Sequence, residues 1–194
     1  MHISDKKPKE YLIVRIKASH AKILANFFKS LIPQTIKLFH PHPFSEEFLK
    51  KLFADKKDVR IFLSSRKKRK IAGYAFVSRF PLFPMKGYFG IVISEEFRGK
   101  GLAKGFTNQL FDQCKKEGIN KILLNVYESN SRAIKLYEVV GFKKIEVAFY
   151  DRYLIAFREV LRNDGLKGSI IKVIKSLSQI DRAVEHSIWM LKDL

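Results

Sequence analysis

The run Arg98-Gly99-Lys100-Gly101-Leu102-Ala103 sets two glycines and two cations between an apolar, β-branched stretch and a helical one. Upstream lies Tyr88-Phe89-Gly90-Ile91-Val92-Ile93; downstream, Phe106, Leu110 and Phe111 recur at helical spacing. A glycine turn that opens a helix leaves backbone N–H groups without intrahelical acceptors, and the helix dipole makes them attractive to anions. Glycine also lets the backbone approach a diphosphate with no side chain in the way. Arg98 and Lys100 add counter-charge. The chemistry this run predicts is capture of a pyrophosphate, as in a phosphorylated cofactor.

A second patterned stretch is Asn130-Ser131-Arg132-Ala133-Ile134-Lys135-Leu136-Tyr137-Glu138-Val139-Val140-Gly141-Phe142. Asn130 or Ser131 caps a helix through Val140, and Gly141 closes it. Taken in order, the two runs resemble the GNAT superfamily of acyl-CoA-dependent N-acyltransferases. The first is similar to that family's Arg/Gln-x-x-Gly-x-Gly/Ala turn, with Ala103 in the last place. The second is similar to its Asn-x-x-Ala-x-x-Leu-Tyr-x-x-x-Gly-Phe signature. The detailed likeness runs from Ile91 to Phe142, and element order extends it.

The resemblance implies an α/β (α+β) fold, a mixed, twisted sheet of about seven strands flanked by helices and splayed between strands 4 and 5. Beyond Phe142 the sequence departs from the compact family pattern, and an extra helical segment is expected before the last strand. It implies acetyl-CoA in the splay as acyl donor, and a primary amine of a small molecule or peptide as acceptor, attacking directly through a tetrahedral intermediate. Backbone groups of Ile91 and Ile93 would pair with the pantetheine arm as an added strand pairs with an open edge, with Val92 between them in the same cofactor-binding strand. The N–H groups of Arg98, Gly99, Lys100, Gly101, Leu102 and Ala103 would hold the pyrophosphate. Asn130 would help hold the pantetheine arm, and Tyr137 would lie near the thioester sulfur.

Aminolysis of a thioester needs a neutral amine, a donor for the oxyanion and a proton for the departing thiolate. Tyr137 is the candidate general acid. The base is harder to place. The strand Tyr88 to Ile93 holds no carboxylate, and Asn125 stands where ribosomal-class relatives that acetylate peptide N-termini carry a glutamate. Asparagine takes no proton at neutral pH, although it orients a water. Glu128, His40 and His42 remain as candidates, each with a plainer reading: a solvated loop charge, and turn residues beside Pro41 and Pro43. His40-x-His42 has no clustered partner ligands, so no metal is expected. Cys114 reads as a packing residue on a helix face.

The elements that position these residues follow from periodicity. Tyr11–Ile16 reads as a strand. Ser19 is a candidate N-cap for a helix carrying Ile23, Leu24, Phe27, Phe28 and Leu31, ending before Pro33. The prolines of Leu38–Phe44 exclude a continuous helix, and Ser45-Glu46-Glu47 starts another with Phe48, Leu49, Leu52 and Phe53. Val59–Leu63 and Ile71–Val77 bracket the basic run Arg66–Lys70 as a hairpin. Phe80–Met85 reads as a hydrophobic loop, and Lys121–Tyr127 as a strand. Phe149–Leu161 and Ile170–Leu177 have helical spacing around the break Asn163-Asp164-Gly165, and Ala183–Leu191 reads as the last strand. That helical insertion, 149–178, suits either a cover for the acceptor or a homodimer contact.

The reading is one domain over 1–194: an acceptor-shaping part (10–85), a cofactor-binding core (86–145) and the helical insertion with the last strand (146–194). The composition, 46% hydrophobic with 17 Phe, supports a packed core. No apolar run approaches the roughly 18 to 20 residues of a spanning helix, and the N-terminal residues lack the apolar core of a secretory signal. A lone cysteine makes no intrachain disulfide, so a cytoplasmic setting is expected. The formal net charge is +19, from 38 Lys+Arg against 19 Asp+Glu. Such charge attracts polyanions, so a non-catalytic basic module binding nucleic acid or a ribosome is the alternative. It also argues against polyamine acceptors, which it repels.

Overall fold

The computed structural model describes residues 10–80, 83–145 and 187–194. A seven-stranded sheet runs β1-β2-β3-β4-β5-β7-β6. β1 (Tyr11–Arg15) pairs antiparallel with β2 (Val59–Ser65), and β2 with β3 (Lys70–Phe80). β4 (Phe83–Ile93) runs parallel to β5 (Lys121–Tyr127), paired over Lys86–Tyr88 and Lys121–Leu123. This is the pair at which the family resemblance sets the splay. β7 (Ser187–Asp193) is antiparallel to both β5 and the short β6 (Lys143–Ile145). The chain divides into two compact units, Met1–Ser78 with Phe89–Glu117, and Arg79–Tyr88 with Gly118–Leu194. No helix among the described residues is long and apolar enough to cross a membrane.

In the first unit the basic run is the turn of the β2–β3 hairpin, and Arg69 carries a positive φ of 51° there. α1 (Ala21–Lys29) buries Leu24, Phe27 and Phe28 and packs against α3 (Glu46–Ala54). Ser45 caps α3, its hydroxyl oxygen accepting from Phe48 N at 3.3 Å. Ser19 does not cap α1. It lies inside a 3₁₀ turn, Ala18–His20, and the imidazole Nδ1 of His20 accepts from Lys17 N at 3.1 Å. Pro33 also differs from expectation: it is the first residue of a short helix, α2 (Pro33–Leu38). Proline lacks an N–H, and that position needs none, so the residue that ends one helix starts the next. α4 (Leu102–Lys116) packs on β2 with Phe106, Leu110, Phe111 and Cys114 buried, as expected for the cysteine. A buried ion pair joins Asp58 to Arg60, and Ser78 Oγ also donates to Asp58.

In the second unit Phe83–Met85 belong to β4 rather than to a loop, and Met85 O accepts from Asn120 N at 2.9 Å. Pro84 stands at the start of the strand, ahead of the residues that pair with β5, and its carbonyl accepts from Arg79 Nη1 at 2.7 Å. α5 (Ser131–Val139) ends before Gly141, whose φ of 93° suits only glycine. The core gathers Phe80, Leu123 and Trp189, with Tyr88, Ile145 and Leu191 packed against it. The last strand extends past Leu191 to Asp193, and β6 is too short to announce itself by alternation. The predicted helical insertion and residues 183–186 lie outside the described residues.

Candidate active site

The glycine turn follows a 3₁₀ turn, Glu95–Phe97, at the end of β4. Gly99 and Gly101 have φ of 75° and 72°, values that cost an L side chain about 1–2 kcal/mol. A Cβ at either glycine would meet nothing within 4 Å, so it is conformation, and not crowding, that demands glycine. Gly101 is the N-cap of α4 and has no side chain to cap it. The first-turn N–H groups therefore face outward without side-chain acceptors from the cap, which is the geometry of an anion site. Lys100 Nζ lies 5.1 Å from the ring centroid of the buried Phe97.

Arg98 turns inward. Its Nε donates to Ile93 O at 2.9 Å, and its Nη2 donates to Thr35 Oγ1 at 2.6 Å and lies 3.2 Å from Glu95 Oε1. The Thr35 hydroxyl in turn donates to the same carboxylate oxygen. Burial works to raise the Glu95 carboxyl, but the Thr35 hydroxyl, its own backbone N–H, Arg98 and the Ile32 N–H outweigh it and hold it below the ordinary 4.5. Neither Thr35 nor Glu95 stands out in the sequence: Thr35 is 63 positions from Arg98, and Glu95 shows only an i,i+3 acid–base spacing.

The strand before the turn has two kinds of residue. Ser94 N donates to Ala72 O at 3.0 Å, so Ser94 and, two residues back, Val92 direct their backbone polar groups to β3. Ile91 and Ile93 direct theirs the other way. Val92 is buried, while Ile91 and Ile93 are half-buried. The Ile93 carbonyl on that outer side accepts from Arg98.

In the second unit, Tyr137 is buried on α5, with Phe142 edge-on at a ring separation of 5.8 Å. Burial, and then the nearby Tyr88 phenol, push the Tyr137 phenol far above its ordinary 10.0. It therefore stays protonated across the neutral range. Tyr88 OH donates to Asn125 Oδ1, coupling β4 to β5. This fixes the orientation of the Asn125 amide. Tyr88 had no assigned role in the sequence, because a tyrosine in an aromatic strand reads as packing. Asn130 Oδ1 accepts from Ala133 N at 3.2 Å, a helix cap that leaves its amide nitrogen for other work.

The three candidate bases separate clearly. Glu128 is exposed on the turn after β5. His40 is exposed, with Nδ1 3.3 Å from Ile36 O. His42 is buried among Phe28, Phe44, Phe48 and Tyr74. Its Nδ1 lies 2.9 Å from Pro43 O, which only accepts, so that nitrogen holds the proton. Its Nε2 then accepts from Tyr74 OH at 3.2 Å. His42 is thus a satisfied core residue with no lone pair for an amine. Among the described residues no group of His, Cys, Asp or Glu has the arrangement of a metal site.

A mixed sheet with a glycine turn opening one helix and an asparagine capping a tyrosine-bearing one defines an acetyltransferase fold. The chain belongs to the Acetyltransferase (GNAT) family, whose model matches residues 24–142. It is 29% identical over 122 residues to the uncharacterized N-acetyltransferase YycN of Bacillus subtilis (strain 168), covering 62% of this chain and 67% of that one. It is 33% identical over 82 residues to N-alpha-acetyltransferase 30 of Saccharomyces cerevisiae, covering 40% and 46%. To the [ribosomal protein bS18]-alanine N-acetyltransferase of Escherichia coli (strain K12) it is 32% identical over 59 residues, covering 30% and 40%. The chain thus spans less than half the length of the last two relatives. Among solved structures, the GNAT domain of S. lividans PAT superposes with a TM-score of 0.65 at 12% identity, over 94% of this chain and 89% of that one. Ribosomal-protein-S5-alanine acetyltransferase from Vibrio fischeri superposes with a TM-score of 0.60 at 21% identity, over 70% and 80%.

Proposed function

We propose that this chain transfers an acetyl group from acetyl-CoA to a primary amine of a small molecule or peptide. The observation that carries the reading is the glycine turn. Two left-handed glycines open α4, with empty space at each Cβ and no capping side chain. A diphosphate fits such a turn by accepting from consecutive backbone N–H groups, and the N–H groups from Gly99 to Ala103 take that role. The outward backbone groups of Ile91 and the Ile93 N–H offer donors and acceptors to the amides of the pantetheine arm; for the amide nitrogen of Asn130 it is the family resemblance that gives a pantetheine role. A solved neighbour, spermidine N-acetyltransferase from Vibrio cholerae, is described in complex with CoA and spermine; it supports a CoA-type ligand on this fold.

Acetyl-CoA supplies the activated acyl group. Tyr137 supplies a hydrogen bond to the sulfur as negative charge develops on it, and its raised pKa keeps the proton in place until that charge appears. Asn125, held by Tyr88, orients a water that relays the proton from the attacking amine, with the exposed Glu128 carboxylate as the nearest candidate in sequence for its final receipt. Two curated relatives are named for N-alpha- and alanine N-acetyltransfer, which supports a peptide α-amine. The +19 charge disfavours a polycationic acceptor. The test is mass spectrometry of a peptide panel after incubation with acetyl-CoA and the chain. Addition of one acetyl group to an α-amine supports the reading. Coenzyme hydrolysis alone, or no turnover with peptides and small amines alike, contradicts it.

A further inference from the structure

We propose that Thr35 and Glu95 are positioning residues for cofactor binding, holding the glycine turn in its anion-presenting conformation through Arg98 and tying that turn to α2. The inference rests on the acyl-CoA reading above. Its physical basis is a contrast within one loop. Gly99 and Gly101 make the left-handed turn accessible, but glycine also makes many other conformations accessible, so the turn needs an external restraint. Arg98, immediately before Gly99, supplies it. One edge of its guanidinium closes back on Ile93 O at 2.9 Å, fixing the loop to the end of β4. The other reaches Thr35 Oγ1 at 2.6 Å and Glu95 Oε1 at 3.2 Å, fixing it to the first turn of α2.

Glu95 is the node of this clasp. Its carboxylate pairs with Arg98, accepts from the Thr35 hydroxyl, and is hydrogen-bonded by the Ile32 N–H at the start of α2. Thr35 is 5% exposed, so the clasp is shielded from water and salt on that side. A guanidinium engaged in this way has its charge balanced by Glu95. It therefore orients the backbone that binds phosphate instead of acting as the counter-charge itself. The helix that the sequence missed, α2, is thus the support of the turn that the sequence read most easily.

Thr35→Val keeps the shape and charge of the site and removes the hydroxyl from both Arg98 and Glu95. Calorimetric titration of coenzyme A into the full chain should show binding weakened about tenfold, the effect of losing a hydrogen bond to charged groups. Thr35→Ser should return affinity to within about twofold of the parent. Glu95→Gln gives a test by sign. If Arg98 were a plain counter-charge, removing a carboxylate beside it would tighten coenzyme A binding; the clasp requires weakening. Unfolding temperatures without ligand identify any variant that fails to fold, and the remaining variant then decides. Unchanged or tighter binding in Thr35→Val, no recovery in Thr35→Ser, or tighter binding in Glu95→Gln each overturns the proposal while the parent still binds. If the parent itself binds no coenzyme A, the acyl-CoA reading fails, and this inference with it.

Discussion

Around the glycine turn the polar chemistry is ionic, whereas around Tyr137 it is carried by neutral groups. Near the turn, Arg98 pairs with Glu95, Lys68 and Lys70 pair with Glu96, and Lys68 and Lys100 lie over the ring of Phe97. In the second unit the Tyr88 phenol lies near Tyr137 and bonds Asn125, Asn130 caps α5, and the ion pair Lys144–Glu138 stays on the exposed surface. A backbone turn held by a balanced ion pair, with Lys100 beside it, suits the holding of a multiply phosphorylated ligand. Neutral donors suit a reaction whose charge appears only at the transition state, because they cost little to bury beforehand and respond when charge develops. The first region should therefore govern affinity and its salt dependence, and the second should govern turnover.

Tyr137→Phe should break the contrast most severely. Removing the donor should lower kcat by about a hundredfold or more while the Kd for coenzyme A stays within about twofold; steady-state rates with matched titrations check this. An equal loss in both would place Tyr137 in binding. Gly101→Val comes next, because a Cβ at φ 72° costs about 1–2 kcal/mol, or roughly five- to thirtyfold in coenzyme affinity. Its kcat at saturation should be preserved. Tyr88→Phe leaves Asn125 unrestrained, and kcat should fall by about two- to tenfold, the worth of one hydrogen bond. The smallest effect is expected from Lys100→Gln, about twofold in Kd and vanishing as salt rises.

The pH profile sharpens the same contrast. The Tyr137 phenol is held above its ordinary 10.0, so its proton remains available as pH rises through 10 and the rate should show no alkaline break there. A group whose folded pKa is raised stabilises the fold below its unfolded value and loses that contribution as pH climbs from 10 toward the folded value. Glu95 behaves oppositely. Its pKa is lowered, so the clasp is intact above 4.5 and its contribution is lost as pH falls through the lowered folded value. Coenzyme affinity should therefore weaken in acid before the rate constant at saturation does.

What the sequence showed and what it hid divides along the same line. The glycine turn, the Asn130 cap, the hairpin around the basic run and the strand Lys121–Tyr127 are local patterns, in which neighbours along the chain fix one another's geometry. They stand in the structure where the periodicity sets them. Local signals failed where two meanings share one residue. Pro33 stops α1 and starts α2, and Ser19, a good cap by type, lost to a 3₁₀ turn that satisfies the chain through His20. Phe83–Met85 read as a loop because Pro84 stands at the start of β4, ahead of the residues that pair with β5. The clasp of Thr35, Glu95 and Arg98 and the pairing of Tyr88 with Asn125 join positions far apart in the chain. Only tertiary structure brings such residues together, so no spacing rule could have found them. His42 shows the reverse case: a plausible base by type, yet both its nitrogens are engaged within the core.

The most direct test of the central claim is calorimetric titration of acetyl-CoA into the parent chain and into Gly101→Val. Saturable binding to the parent at a single site, weakened roughly five- to thirtyfold in the variant, is the predicted result. No binding to the parent, or equal affinity in the two proteins, would contradict the assignment of the glycine turn as the pyrophosphate site.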